Sequence, residues 1–285
     1  MAPIQSVSYY DKESSLTPAY MRRVDIEFQK LGLRGVTVVV CSGDEGSAED
    51  EKAHTTDASF PASSPHVLAV GGVKTEGTQR TAALTWDRSG GGFSALFAAP
   101  DHQKPAVAQY LTHPPAKLPS SCGYNTSGRA YPDVSSIAHH TCIVVLHHLN
   151  CLVFGTSVSA PVWAGLLALA NDARASAGRP NLGWVGPALY AAAAKDGAAL
   201  TKAAASDRQA GCASFPPASS GWDAFQGLGV PSWDRLGPAL AAMGGVHARA
   251  AAPPPHERVA APPRAGAAAT DDEIPPPPTT FWAHW

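Results

Sequence analysis

No run of about eighteen apolar residues occurs in the chain, so a membrane-spanning helix is not expected. The opening residues, Met1-Ala2-Pro3-Ile4-Gln5, carry neither a basic segment nor an apolar one behind it, and do not read as a signal peptide. Charge of one sign is missing too. A formal net charge of -2 and a pI of about 6.6 generate no large field, which argues against nucleic acid and anionic membrane as partners and leaves a peptide or small-molecule substrate. Cysteine is scarce. Cys41, Cys122, Cys142, Cys151 and Cys212 make an odd set of five without tight metal spacing, so zinc is not expected and at least one thiol is unpaired within the chain. What the chain does have is 285 residues with 45% hydrophobic content, enough for one sizeable core and an appendage.

Composition changes after Met243. From HARAAAPPPHERVAAPPRAGAAAT through Asp271-Asp272-Glu273 to Pro278, a segment rich in Ala and Pro cannot bury enough apolar area to offset its ordering entropy. Residues 246–285 therefore read as a disordered tail and 1–245 as the folded part. Within the latter, Tyr20, Val24, Phe28 and Leu31 recur at helical spacing between Leu16 and Leu33, and Gly32 to Gly35 break the pattern. The run Val36 to Val40 follows as a strand and ends in the turn composition Cys41-Ser42-Gly43-Asp44-Glu45-Gly46. Val67 to Val70, ending at Gly71-Gly72, repeats the pattern. A helix and buried strands opening into glycine-rich loops predict a parallel α/β sheet with ligands at the strand C-termini. Residues 142–153 read as a hairpin around His147-His148-Leu149-Asn150, across which Cys142 and Cys151 can pair if oxidised. His139-His140 and His147-His148 read as strand neighbours on opposite faces rather than as a metal site.

Phe154-Gly155-Thr156-Ser157-Val158-Ser159-Ala160-Pro161 places a serine at the start of a long apolar helix, Val158 to Ala175. Free backbone N–H groups and the helix dipole favour developing negative charge there, which suits a nucleophile and one oxyanion donor. The plainer reading is that Thr156 or Ser157 caps the helix. The motif keeps company, in order, with Ser42-Gly43-Asp44-Glu45-Gly46, Phe60-Pro61-Ala62-Ser63-Ser64-Pro65, Val70-Gly71-Gly72, Ser89-Gly90-Gly91-Gly92-Phe93-Ser94 and Arg129-Ala130-Tyr131-Pro132-Asp133-Val134. Gly178-Arg179-Pro180-Asn181-Leu182-Gly183 follows it.

This series, from about Ile4 to Ala242, resembles the sedolisin (serine-carboxyl peptidase) family and within it the tripeptidyl-peptidase branch. The resemblance implies a subtilisin-like α/β fold, a mostly parallel sheet with helices on both faces, of which residues 1–245 are the C-terminal part. It implies Ser157 as nucleophile, Asp44 as the oxyanion-hole residue, a peptide or unfolded-protein substrate, and release of tripeptides. A carboxylate could only repel an oxyanion, so Asp44 would act protonated, and an ordinary Asp pKa of roughly 3.9 makes that an acid-pH chemistry. A lysosomal, vacuolar or secreted setting follows by resemblance, and the sequon Asn125-Thr126-Ser127 is consistent with it.

The family's base is a Glu with an Asp four residues on, and no such pair is found on a helix here. Glu45 and Glu49 have the spacing but follow Asp44 in a loop. The chain is thus expected to begin inside the catalytic domain, with an N-terminal half or prodomain missing, and an inactive fragment or pseudoenzyme is an alternative. A subtilisin-type Ser-His-Asp peptidase is another, but it needs a His before Asp44 and none precedes His54. The family also implies a calcium site. Ser219-Ser220-Gly221-Trp222-Asp223 makes Asp223 and the Gly221 carbonyl candidate ligands, while alignment on Leu200-Thr201 puts Ala199 where the first carboxylate belongs, with Asp207 displaced from it. The expected site is impaired.

Overall fold

The computed structural model describes residues 2–46, 49–50, 55–76, 82–112, 123–204 and 215–244. The expected tail 246–285, Cys122, Cys212 and Asp207 lie outside them, as does the side chain of Glu49. Along the chain come β1 (Ile4–Val7), α1 (Pro18–Leu33), β2 (Thr37–Cys41), β3 (Leu68–Glu76), β4 (Ala82–Thr85), β5 (Gly92–Ala98), α2 (Lys104–Thr112), β6 (Gly128–Tyr131), β7 (Val134–Ile137), β8 (Thr141–Val145), β9 (His148–Val153), α3 (Thr156–Ser176), α4 (Gly186–Lys195) and α5 (Trp233–Ala242), besides some very short strands.

The main sheet runs β1-β2-β3-β7, all parallel, and β4 adds an antiparallel strand on β3. Alternation along each strand decides what covers each face. Val39 and Cys41 of β2 join Leu68, Val70 and Val134 on one side, where Ala160, Trp163, Leu167 and Ala170 of α3 pack at helical spacing. Val38 and Val40 join Val67 and Ala69 on the other, under Phe28 and Leu31 of α1. The expected parallel sheet with helices on both faces is therefore present. Trp163 fixes the depth of α3 by donating its indole N–H to the Ser135 carbonyl at 2.9 Å.

Helix ends follow capping chemistry. Thr17 caps α1, its hydroxyl accepting from the Tyr20 N–H at 3.3 Å with Pro18 in the first turn, so the helix starts two residues after Leu16. Among the described residues no helix is long and apolar enough to cross a membrane. The hairpin β8–β9 forms and is closed by a Cys142–Cys151 disulfide. Its turn is shorter than expected, centred on Leu146 and His147 with φ of 49° and 66°, because two positive-φ residues give the twist that antiparallel strands need. His139 and His140 do not diverge either. The backbone bends at His140 (φ 53°), which leaves the two rings 4.0 Å apart.

One buried ion pair ties these layers together. Arg129 and Asp133 are 1% and 3% exposed. Asp133 Oδ2 accepts from Arg129 Nη2 at 2.6 Å and from the Ala69 N–H at 2.8 Å, while Oδ1 accepts from the Tyr190 hydroxyl at 3.0 Å. Asp133 is thereby a structural residue. Asp133→Asn leaves a buried guanidinium unpaired and should cost about 3–5 kcal/mol in urea unfolding. Asp101→Ala, at an exposed carboxylate held by Lys104, should leave the midpoint where it was.

Candidate active site

The C-terminal ends of β1 and β2 and the N-terminus of α3 converge, as ligand sites in parallel sheets do. Gly155 turns the chain from β9 into α3 with φ of 130°, a conformation that side chains rarely adopt, and a Cβ there would lie 2.9 Å from Asp44 Oδ2. Asp44 Oδ1 accepts from the Thr156 N–H at 2.7 Å and from its hydroxyl at 2.8 Å. The Thr156 hydroxyl in turn accepts from the Gly43 N–H at 3.1 Å. The structure therefore brings Asp44 and Ser157 together, with Asp44 capping the helix that carries Ser157 from across the fold. Ser8 holds the other side, its hydroxyl donating to the Ser157 carbonyl at 2.7 Å.

The loop bearing Asp44 is clamped from several directions. The Tyr10 hydroxyl accepts from the Asp44 N–H at 3.0 Å and donates to Glu45 Oε1 at 2.7 Å, and Lys12 reaches Glu45 Oε2 at 3.2 Å. Arg88 Nε donates to the Asp44 carbonyl at 3.0 Å. The Ser89-Gly90-Gly91-Gly92 run earns its glycines by close approach, since a Cβ on Gly90 would sit 2.1 Å from the Ser42 carbonyl oxygen. No spacing or motif in the sequence points to Ser8, Tyr10, Lys12 or Arg88.

Among the described residues no hydrogen bond joins the Ser157 hydroxyl to a carboxylate or an imidazole. The buried Cys41 thiol lies beside Ser157 and Thr156. Burial, and then the charge of Asp44, push that thiol up to about 12, so it supplies no thiolate. Glu45 is occupied by Tyr10 and Lys12. Burial alone would raise its pKa, but those partners hold it below the usual value, which makes it a poor proton acceptor.

Asp223 and Gly221 do not come together as a cation site. Asp223 is fully buried, and its carboxylate already receives four donors. These are the N–H groups of Phe225 (2.9 Å), Gln226 (2.7 Å) and Ala218 (3.0 Å) and the Lys202 ammonium (2.9 Å). Four donors fill a carboxylate's lone-pair directions. Gly221 is exposed, Ala199 brings no oxygen from its side chain, and no cluster of three or more His, Cys, Asp or Glu that could hold a metal occurs among the described residues. The residues present do not fit calcium.

Residues 4–212 match the model of the subtilase family. The chain is 39% identical over 249 residues to tripeptidyl-peptidase 1 of Canis lupus familiaris, covering 83% of this chain and 43% of that protein. It is 38% identical over 245 residues to tripeptidyl-peptidase 1 of Homo sapiens, covering 82% and 42%. The chain thus spans less than half the length of these relatives. A solved structure of Pseudomonas sedolisin, a serine-carboxyl proteinase complexed with pseudo-iodotyrostatin, superposes with a TM-score of 0.65 at 23% identity, covering 85% of this chain and 66% of that one, and shows the same fold.

Thr156→Val keeps the side-chain shape but leaves the buried Gly43 N–H without its acceptor and Asp44 without one donor. Urea unfolding should show a loss of about 1–3 kcal/mol, and an unchanged stability would mean that the clamp is not formed.

Proposed function

The chain belongs to the subtilase family, and by its motif series and tripeptidyl-peptidase relatives to the sedolisin type within it; on that premise we propose that it carries the nucleophile and oxyanion half of a serine-peptidase site. The observation behind this reading is that Asp44 is hydrogen-bonded to the N-terminus of the very helix on which Ser157 stands. In this reading Ser157 Oγ attacks a peptide carbonyl, losing its proton to a base. The tetrahedral oxyanion meets backbone N–H groups at the start of α3; its collapse breaks the C–N bond and expels the amine, which takes the proton back from the base, and water then hydrolyses the acyl ester and frees Ser157.

Asp44 has a definite task in this scheme. Thr156 engages Oδ1, so a proton on Oδ2 is the one available to donate to an oxyanion. An ordinary aspartic acid is protonated to a useful extent only in acid, and a Glu base works in that same range where a His would be charged. Acid-pH cleavage of peptides follows, and the tripeptidyl-peptidase relatives make removal of tripeptides from N-termini the specificity to test first.

The scheme needs a carboxylate base from beyond the described residues. A second reading, a peptide-binding chain that does not cut, is favoured by the absence, among the described residues, of a hydrogen bond from the Ser157 hydroxyl to a carboxylate or an imidazole; the bond found at Ser157 is the one its carbonyl accepts from Ser8. None of the described histidines bonds Ser157, so a Ser-His-Asp arrangement has no support in the geometry. A fluorophosphonate probe separates the two main readings. Labelling at acid pH that Ser157→Ala abolishes supports the peptidase site, and no labelling at any pH leaves the non-cutting reading. Asp44→Asn, which donates at every pH, should extend labelling towards neutrality, whereas Asp44→Ala should slow it by about 100- to 1000-fold.

A further inference from the structure

The resemblance implies calcium at Asp223, and the structure has a different cation in its place. Lys202 donates from its ammonium to Asp223 Oδ2 at 2.9 Å and also to the Gly227 carbonyl. The two side chains are 7% and 0% exposed, which makes them a desolvated pair with backbone groups satisfying what remains. We propose that Lys202 is a built-in cation: its ammonium neutralises the Asp223 loop in place of a metal ion, so that this part of the fold holds its shape without calcium.

Three features of the loop carry the argument. First, the carboxylate has no lone pair left to offer, as its four donors show, whereas calcium needs six to eight oxygens of its own. Second, the ammonium reaches a backbone carbonyl as well as a carboxylate, the mixed donor set that a calcium loop presents to its ion. Third, charge closes with one lysine. A single carboxylate balances one ammonium, and a dication brought to the same place would be repelled by Lys202 while gaining nothing from Ala199. Burial pushes the Lys202 ammonium below the ordinary lysine value, and the charge and hydrogen bond of Asp223 oppose that shift.

The neighbourhood is organised around the pair. Gln226 bonds the backbone of Ala203 on both sides, through its Oε1 from the Ala203 N–H at 2.7 Å and through its Nε2 to the Ala203 carbonyl at 3.2 Å. Leu200 and Thr201 pair with Pro231 and Val230. The strand leading to Lys202 is thus stapled to the loop containing Asp223, and the ammonium has no need of a mobile stem to reach it.

The test is thermal unfolding of the full chain with calcium and with excess EGTA, together with calorimetric titration of calcium chloride. Superimposable melting curves and no saturable heat are expected. A rise in Tm with calcium, or saturable binding that Asp223→Asn removes, would overturn the proposal. Lys202→Met and Asp223→Asn should each lower Tm, and the double variant should lower it by less than the sum, since neither charge is then left alone. Additive losses would count against the pair. Should Lys202→Met fail to fold, the calcium titration of the unaltered chain decides by itself.

Discussion

The Arg129–Asp133 ion pair is the constraint on which the arrangement of the site depends. Asp133 precedes β7 directly, and its carboxylate receives groups from four places: Arg129, the Ala69 N–H of β3, Tyr190 of α4, and Gln103 beside α2. Arg129 also donates to the Ser64 and Val67 carbonyls that lead into β3 and to the Ala130 carbonyl. Burying a charge pair is worthwhile only when such partners complete it. Their joint effect is to fix β3 and β7 in register, and through Trp163 to fix the depth of α3 behind them. The position of Ser157 is a consequence of that depth.

The second internal ion pair is joined to the first by backbone. The Leu228 N–H donates to the Asp133 carbonyl at 2.7 Å, and Gly227, whose carbonyl accepts from Lys202, is its neighbour. The Phe225 carbonyl meanwhile accepts from the Ser89 hydroxyl at 3.1 Å, and that hydroxyl accepts from the Gly72 N–H of β3 at 2.9 Å. The loop that holds Asp223 is therefore part of the floor under the Gly90-Gly91 segment and the Asp44 loop. An unbalanced charge at Asp223 would be felt there, which gives a physical reason why some cation has to stand beside it. A lysine can meet that need in a chain where Ala199 stands at the position for which the resemblance implies an acid.

How far sequence reaches is visible in particular residues. The run Val36 to Val40, the Gly-rich turn after it and the Gly155-Thr156-Ser157 start of α3 were all legible, because β-branched runs, glycine turns and helix starts are local signals. The hairpin is legible in the sequence but the position of its turn is not, since Leu146 and His147 carry none of the usual turn chemistry. The surroundings of Ser157 and Asp44 were invisible for another reason. Ser8 meets Ser157 across 149 residues and Tyr10 meets Glu45 across 35, contacts that exist only once the parallel sheet has brought β1 beside β2. Lys202 and Asp223, 21 residues apart with no periodicity between them, belong to the same class.

These contacts bear on what the serine can do. The contacts at the start of α3 order backbone or withhold protons: Ser8 grips the Ser157 carbonyl, Thr156 is engaged by Asp44 and Gly43, and burial keeps Cys41 a thiol. Glu45, the nearest acid in sequence to Asp44, is turned to Tyr10 and Lys12. Such contacts suit the holding of an electrophile's oxygen, and among the described residues none of them receives the nucleophile's proton. Oxyanion stabilisation and proton removal are separate contributions, and the first persists in peptidases whose triads have been dismantled. A chain that keeps the first and lacks the second would still position a peptide carbonyl over α3, so peptide binding is a property that both readings of its function share.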